Sequence, residues 1–344
     1  MELLADFRYS SLARRTRKIS MKTHSPSAML LALIVALVAI AGVGPVAYAE
    51  AALPTPKPTT EARKSASRQN TAATGRINPN VAAKKLFGKA QAPAPLKARS
   101  IGSYARGCLA GGKALAADGP SWQVIRLSRN RNWGHPAMVN YLERLAADVP
   151  GLGWRGLMVG DMAQPRGGPM PSGHTSHQIG LDADIWLREM SKQRMTKQQR
   201  ENVSAISMLK KGTRTIDKSK WTEDHAKLIR RAASDKAVAR IFVHPAIKAA
   251  LCDWAGGNRS WLRKIRPWYG HHYHFHVRIS CPKGLAGCKD QAAPPPGDGC
   301  GKAMAWWLSD APWGKPKKGT KVKKKRDLRL ADLPRDCSGV LAAR

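Results

Sequence analysis

Two short windows carry most of what can be read from this chain. The first is Gly173-His174-Thr175-Ser176-His177-Gln178-Ile179-Gly180-Leu181-Asp182-Ala183-Asp184-Ile185-Trp186, and the second is His271-His272-Tyr273-His274-Phe275-His276-Val277-Arg278-Ile279. Together they hold six of the ten histidines. Imidazoles and carboxylates clustered in this way are the usual sequence trace of a metal site.

The alternation within each window says how the side chains are presented. In a strand, every second residue faces the same side. His272, His274, His276 and Arg278 then share one face, and Tyr273, Phe275, Val277 and Ile279 form a core face. Likewise Leu181, Ala183 and Ile185 turn inward, while Asp182, Asp184 and Trp186 share the opposite side. Two strands are therefore expected to offer polar groups from one face of a sheet. His177 stands far enough ahead of Asp184 to sit on a loop that turns back toward it. His177, Asp184 and His276 would give two nitrogens and one oxygen around a zinc ion and leave a position for water, the open pattern of a catalytic site.

Ser176-His177-x-x-Gly180-x-x-x-Asp184 with a downstream His274-x-His276 resembles the metallopeptidase group that joins lysostaphin-type, D-Ala-D-Ala-type and hedgehog-type domains. The longer pattern adds Gly173-His174, Gln178, Leu181-Asp182, Arg266-Pro267-Trp268 and His271-x-x-His274-x-His276-Val277-Arg278. It is similar to the penicillin-insensitive murein endopeptidase family over roughly residues 100 to 340. The resemblance implies one zinc per chain held by His177, Asp184 and His276, with His174 as a further metal-associated residue and His271 and His274 as non-ligand histidines. It implies hydrolysis of D-alanyl–diaminopimelate cross-links in peptidoglycan, with diaminopimelate–diaminopimelate links as a second candidate. It also implies the disulfides Cys108–Cys337, Cys252–Cys300 and Cys281–Cys288. A second metal position used by some relatives has no histidine in the corresponding stretch here, residues 211–217.

No His-Glu-x-x-His motif is present, so the proton acceptor for an attacking water must come from elsewhere. His274 shares a strand face with His276 and is expected to be the main base, with His271 assisting it or binding the oxyanion. Asp182 is expected to orient a ligand or the local backbone, and Arg266 to grip a substrate carboxylate or close an ion pair. His135, His225 and His244 are expected to be structural or exposed, and Trp268 and Tyr269 to be core residues.

The rest of the chain sets the context. There are 344 residues, 59 Lys plus Arg against 23 Asp plus Glu, and a formal charge of +36. Such a balance suits a polyanionic surface, for which the cell wall and the anionic outer-membrane surface are candidates, and nucleic acid is not expected in the absence of a recognition motif. Residues 28–47 are an apolar run preceded by basic residues and followed by Ala47-Tyr48-Ala49, the pattern of a secretory signal peptide ending at residue 49, with Met21 as an alternative start. An uncleaved anchor is the competing reading. Cleavage would leave no stable membrane span and place the protein in the periplasm. Residues 50–97, rich in Pro, Ala and Thr, read as a disordered linker, and residues 315–327 as a lysine-rich low-complexity segment. Six cysteines in an exported chain suggest three disulfides, and spacing alone allows 15 pairings.

Between these segments lie helix signals at Pro136, Thr222 and Pro245 and strand signals at residues 156–160 and 241–243. The expectation is an α+β catalytic domain over residues 98–344, with a mainly antiparallel sheet carrying the ligands and helices flanking it. The rival functions are a zinc D,D-carboxypeptidase or dipeptidase with the same ligands, and a non-catalytic cell-wall-binding protein.

Overall fold

Alternating apolar and polar side chains make Asp182–Trp186 and His274–Ile279 strands, and the two pair directly and antiparallel, with His276 opposite Asp184 and Arg278 opposite Asp182. The computed structural model describes residues 77–314 and 326–344. The apolar run at 28–47, its cleavage pattern, most of the expected linker and residues 315–325 lie outside the described residues.

Within them the strands are, in chain order, β1 (Arg99–Ser103), β2 (Arg106–Ala110), β3 (Lys113–Ala114), β4 (Asp118–Gly119), β5 (Trp122–Val124), β6 (Trp133–Gly134), β7 (Leu157–Val159), β8 (Asp182–Trp186), β9 (Val238–Val243), β10 (Ile265–Pro267) and β11 (His274–Ile279). The helices are α1 (Ala83–Phe87), α2 (Pro136–Asp148), α3 (Lys197–Asn202), α4 (Glu223–Ser234), α5 (Pro245–Trp254), α6 (Lys302–Leu308) and α7 (Asp336–Ala342). Seven strands form the main sheet in the order β10-β9-β11-β8-β7-β5-β4. The pairs β10/β9 and β5/β7 are parallel and the others antiparallel, so the expected α+β class with a mainly antiparallel sheet holds.

The two faces of this sheet differ in chemistry. On one, Phe275, Val277, Ile279, Ala183, Ile185 and Ile241 are buried against Leu142 and Leu145 of α2, Leu228 and Ile229 of α4, and Ile247 of α5. Each such aliphatic side chain contributes roughly 2 kcal/mol through burial. On the other face the strand register builds two rows. Arg266, Phe242, His276 and Asp184 lie side by side across β10, β9, β11 and β8, and Arg240, Arg278 and Asp182 form the next row. Cross-strand partners point to the same side, so this face is polar by construction.

Three expectations change. Strand β11 begins at His274, because the ring of His272 turns to Ser207 Oγ, 2.9 Å away, and its carbonyl accepts from the Met208 amide. The expected linker is folded from residue 77: Ala83 and Phe87 of α1 pack into a smaller core with Ile101, Cys108, Leu330, Leu333 and Val340. Phe87 and the C-terminal helix supply the apolar area that the linker composition alone lacks. Trp268 and Tyr269 are not core residues; they are 50% and 42% exposed.

Among the described residues, the three histidines outside the two windows hold helix starts. His135 Nδ1 accepts from Ala137 N and His244 Nδ1 from Ala246 N, each at 3.1 Å, ahead of prolines at the first helical position. His225 Nδ1 accepts from Thr222 N at the start of α4. Imidazole nitrogens here do the work usually given to Ser or Asp at an N-cap.

Candidate metal centre

The loop from β7 to β8 delivers His174 and His177 to the polar face. Its path needs glycine where it presses on its neighbours. Gly167 has φ 63° and an added Cβ would meet Gln178 O at 2.1 Å; Gly180 has φ 71° and a Cβ would meet His135 N at 2.7 Å. His177 itself has φ 68° and His271 has φ 52°, the left-handed region that non-glycine residues avoid at a cost of order 1 kcal/mol or more. Of the two strained histidines, His177 is at the centre of the cluster and His271 at its edge.

His177 Nδ1 donates to Met162 O at 2.6 Å, which leaves the Nε2 lone pair directed inward. There it lies 3.2 Å from His276 Nδ1 and 3.5 Å from Asp184 Oδ1, and the third side of the triangle, His276 Nδ1 to Asp184 Oδ1, is 3.4 Å. Ligands about 2.0–2.1 Å from a tetrahedral zinc are spaced by about 3.3 Å, so this triangle has the edges of such a site. Asp184 Oδ1 is buried and has no hydrogen-bond partner, an uncompensated acceptor of the kind a cation would satisfy. His174, His177 and Asp184 also offer ligand atoms all within 4.8 Å of one another. His174 is the looser member: its Nδ1 is 3.6 Å from Asp184 Oδ2 and its side chain is 23% exposed.

Neighbouring groups fix the cluster in place. Asp182 accepts from the backbone N of His177 at 2.9 Å and takes two hydrogen bonds from Arg278, at 2.7 and 3.1 Å. Its Oδ1 also lies 3.0 Å from His276 Nε2, off the line a good hydrogen bond prefers. Asp182 therefore orients both a candidate ligand and the local backbone. Asp161 holds His174 through Oδ2–Nε2 at 3.0 Å and is itself paired with Arg131 at 2.8 Å. Partners of this kind set the tautomer and direction of ligating imidazoles.

The electrostatics favour one positive charge at the centre. Burial lowers the pKa of His276 to about 3 and of His274 to about 4, keeping both neutral. Burial also opposes the charge on His177, but the adjacent Asp184 outweighs it and raises that imidazole. Asp184 stays ionised despite burial because the histidines around it hold its carboxyl well below the usual range.

His274 Nε2 is 3.6 Å from Asp184 Oδ1, and the His271 ring lies 4.8 Å from that of His274 and 5.9 Å from that of His276. All six residues singled out from the sequence, His174, His177, Asp184, His271, His274 and His276, thus meet in one place. Asp217, in the stretch considered above for a second metal position, is turned to Ser219 and Lys220. The cluster lies between two hollows. One, of about 450 Å³, is lined by His174, His276, Arg240, Arg266, Trp268 and Trp307 among others; the second, of about 200 Å³, by His174, Asp184, Arg129 and Tyr273 among others.

The sequence model of the family described as "Penicillin-insensitive murein endopeptidase" matches residues 100–342. The chain belongs to this family. A penicillin-insensitive murein endopeptidase of Haemophilus influenzae is 45% identical over 249 residues, covering 71% of this chain and 85% of the relative. One from Escherichia coli (strain 55989 / EAEC) is 42% identical, covering 72% and 88%. The matched region contains every residue of the cluster and all three disulfides, which pair Cys108–Cys337, Cys252–Cys300 and Cys281–Cys288 as the resemblance implied. Sequence reasoning missed Asp161 and the Met162 carbonyl within this family domain. Asp161 lies two residues beyond the buried strand β7 with no histidine beside it in sequence, and a backbone carbonyl leaves no mark in a side-chain pattern.

Proposed function

We propose that this protein is a zinc-dependent endopeptidase of the periplasm that hydrolyses D-alanyl–diaminopimelate cross-links in peptidoglycan, with His177, Asp184 and His276 as ligands. The observation that carries the reading is the near-equilateral triangle of His177 Nε2, His276 Nδ1 and Asp184 Oδ1, with edges of 3.2, 3.4 and 3.5 Å, around an otherwise unpartnered carboxylate oxygen. The named activity of the relatives supports the substrate class.

A bound zinc supplies a Lewis acid that polarises the scissile carbonyl and makes water nucleophilic near neutral pH. The chain does the rest. His274 is neutral at pH 7, so it accepts the proton of the attacking water and passes it to the leaving amine as the C–N bond breaks. His271 donates from Nδ1 to Tyr269 O at 2.6 Å, which leaves Nε2 as an acceptor and favours assistance to the base over donation to an oxyanion. No serine is acylated in this scheme, in keeping with indifference to penicillin.

Space on both sides of the cluster favours an endopeptidase over a carboxypeptidase, which needs room for only a terminal residue on one side. Among the described residues no helix is long and apolar enough to cross a membrane. Incubating the protein with cross-linked murein and separating the products tests the proposal. Dimers should become monomers with zinc present and persist after chelation; dimers untouched by the zinc-loaded protein would refute it.

A further inference from the structure

Two arginines in the larger hollow have no role in holding the cluster. Arg266 and Arg240 stand in the two polar rows of the sheet, Arg266 in the row of His276 and Asp184, and Arg240 in the row of Arg278 and Asp182. Both line the 450 Å³ cleft that His276 also lines. Two strand spacings, about 10 Å between Cα atoms, separate Arg266 from His276, a gap that a side chain of arginine length largely spans.

Their charges are uncompensated. Nearby Arg278 is neutralised by Asp182 and Arg259 by Asp298, both at 2.7–2.8 Å. Among the described residues no carboxylate lies within 4.0 Å of Arg240 or Arg266, and the charged groups nearest Arg240 include two further cations, Arg278 and Arg266. Arg240 is only 7% exposed, and its Nε is buried without a partner while Nη2 donates to Ala292 O. Burying a guanidinium beside two others is unfavourable by itself. It is tolerable where a ligand brings the anion, and the planar fork of arginine matches a carboxylate in two-point contact.

We propose that Arg240 and Arg266 form the receptor for a free carboxylate of the substrate, the one on the diaminopimelate centre that supplies the leaving amine. This rests on the cross-link reading above. That carboxylate is attached to the carbon bearing the scissile nitrogen, so among the anionic groups of a cross-link it is held at a short, fixed distance from the reacting carbonyl. Gripping it sets the peptide across the cluster with the scissile bond at the metal and makes the enzyme selective for acidic over amidated cross-links.

The test uses the full protein and purified muropeptide dimers whose leaving diaminopimelate carboxyl is either free or amidated. Amidation should lower kcat/KM of the wild type by about tenfold or more, the loss of a charged hydrogen bond. Arg266→Gln and Arg240→Gln should lose a similar factor on the free acid and then treat the two dimers alike, with Arg266→Lys in between. Thermal unfolding checks that the variants are folded, and Arg266, only half-buried, serves if Arg240→Gln is not. The same two dimers titrated calorimetrically onto the His274→Gln protein should bind with Kd values differing by the same factor. Equal cleavage or binding of the two dimers by the wild-type side chains, or undiminished discrimination in Arg266→Gln, overturns the assignment. If the wild type cleaves neither dimer, the endopeptidase reading fails on its own, and the binding ratio still decides whether the arginines read the carboxylate.

Discussion

His177 Nε2 and His276 Nδ1 face each other at 3.2 Å across 99 positions of sequence. The other nitrogen of His177 donates to the Met162 carbonyl, and that of His276 sits beside Asp182, so the two inward nitrogens present lone pairs to the same point. Two lone pairs at that distance repel unless a proton or a cation lies between them. Asp184 Oδ1, 3.4–3.5 Å from both, adds a negative charge to the same space. That arrangement could hold a positive ion, as the proposed function requires.

Removing one corner should therefore remove the ion. We expect His177→Ala and His276→Ala to bind less than a tenth of the zinc held by the wild type and to lose activity by about 10³-fold or more, with the disulfide-linked fold retained. Atomic absorption on the dialysed proteins, beside the digestion assay, checks both halves. A His177→Ala protein with full zinc content would mean that the metal sits elsewhere.

His274 shares the strand face of His276 but is assigned the proton, not the metal. His274→Gln should lower kcat by about 10²–10⁴-fold while zinc stoichiometry stays near one. Loss of the metal in this variant would instead make His274 a ligand.

Asp182 is fully buried and answers at once to Arg278, His276 and the His177 backbone. Asp182→Asn leaves the Arg278 guanidinium buried without its counter-charge, and breaking such a pair costs about 3–5 kcal/mol. Metal affinity should fall by about 10–100-fold as His276 loses its orienting partner. Urea unfolding and zinc competition titration read the two effects separately; a stable protein with unchanged zinc affinity would show that Arg278 and His276 hold themselves.

A pH effect away from the cluster follows from His244. Burial, reinforced by the nearby His272 and Arg214, lowers its pKa to about 4. The unfolded chain takes up this proton first, below about pH 6.5, and the native state resists it. The stability contributed is thus complete above about pH 6.5 and is lost as the pH falls toward 4, at up to about 1.4 kcal/mol per pH unit. His244→Asn keeps an acceptor for Ala246 N and should flatten the slope by one proton's worth in urea unfolding between pH 7 and pH 4.5. An unaltered slope would assign the acid sensitivity to other groups.

The Cys108–Cys337 bridge joins the first hairpin to the C-terminal helix across 229 positions. Replacing both cysteines with alanine should cost up to about 5 kcal/mol by the loop-entropy relation. The smaller core of Phe87, Leu330 and Val340 should loosen first, which hydrogen exchange of α1 and α7 would register before the main sheet. Equal protection with and without the bridge would mean that apolar contacts alone hold that core.

The sequence by itself determined the strands and their faces, because side-chain alternation is a local property: Phe275, Val277 and Ile279 had to be buried, and His274, His276 and Arg278 had to lie opposite them. It also determined which residues belong to the cluster, through motif spacing that the family shares. Tertiary structure alone decided which nitrogens face inward, since that depends on Met162 O and Asp182, groups brought up by other parts of the chain. It alone placed Asp161 against His174 and folded residues 77–96, whose composition reads as linker until Phe87 finds the apolar surface of residues 330–340. And it alone set Arg240 and Arg266 in adjacent rows without counter-ions, because strand register between distant segments is fixed by the packing of the whole sheet and not by any one segment's pattern.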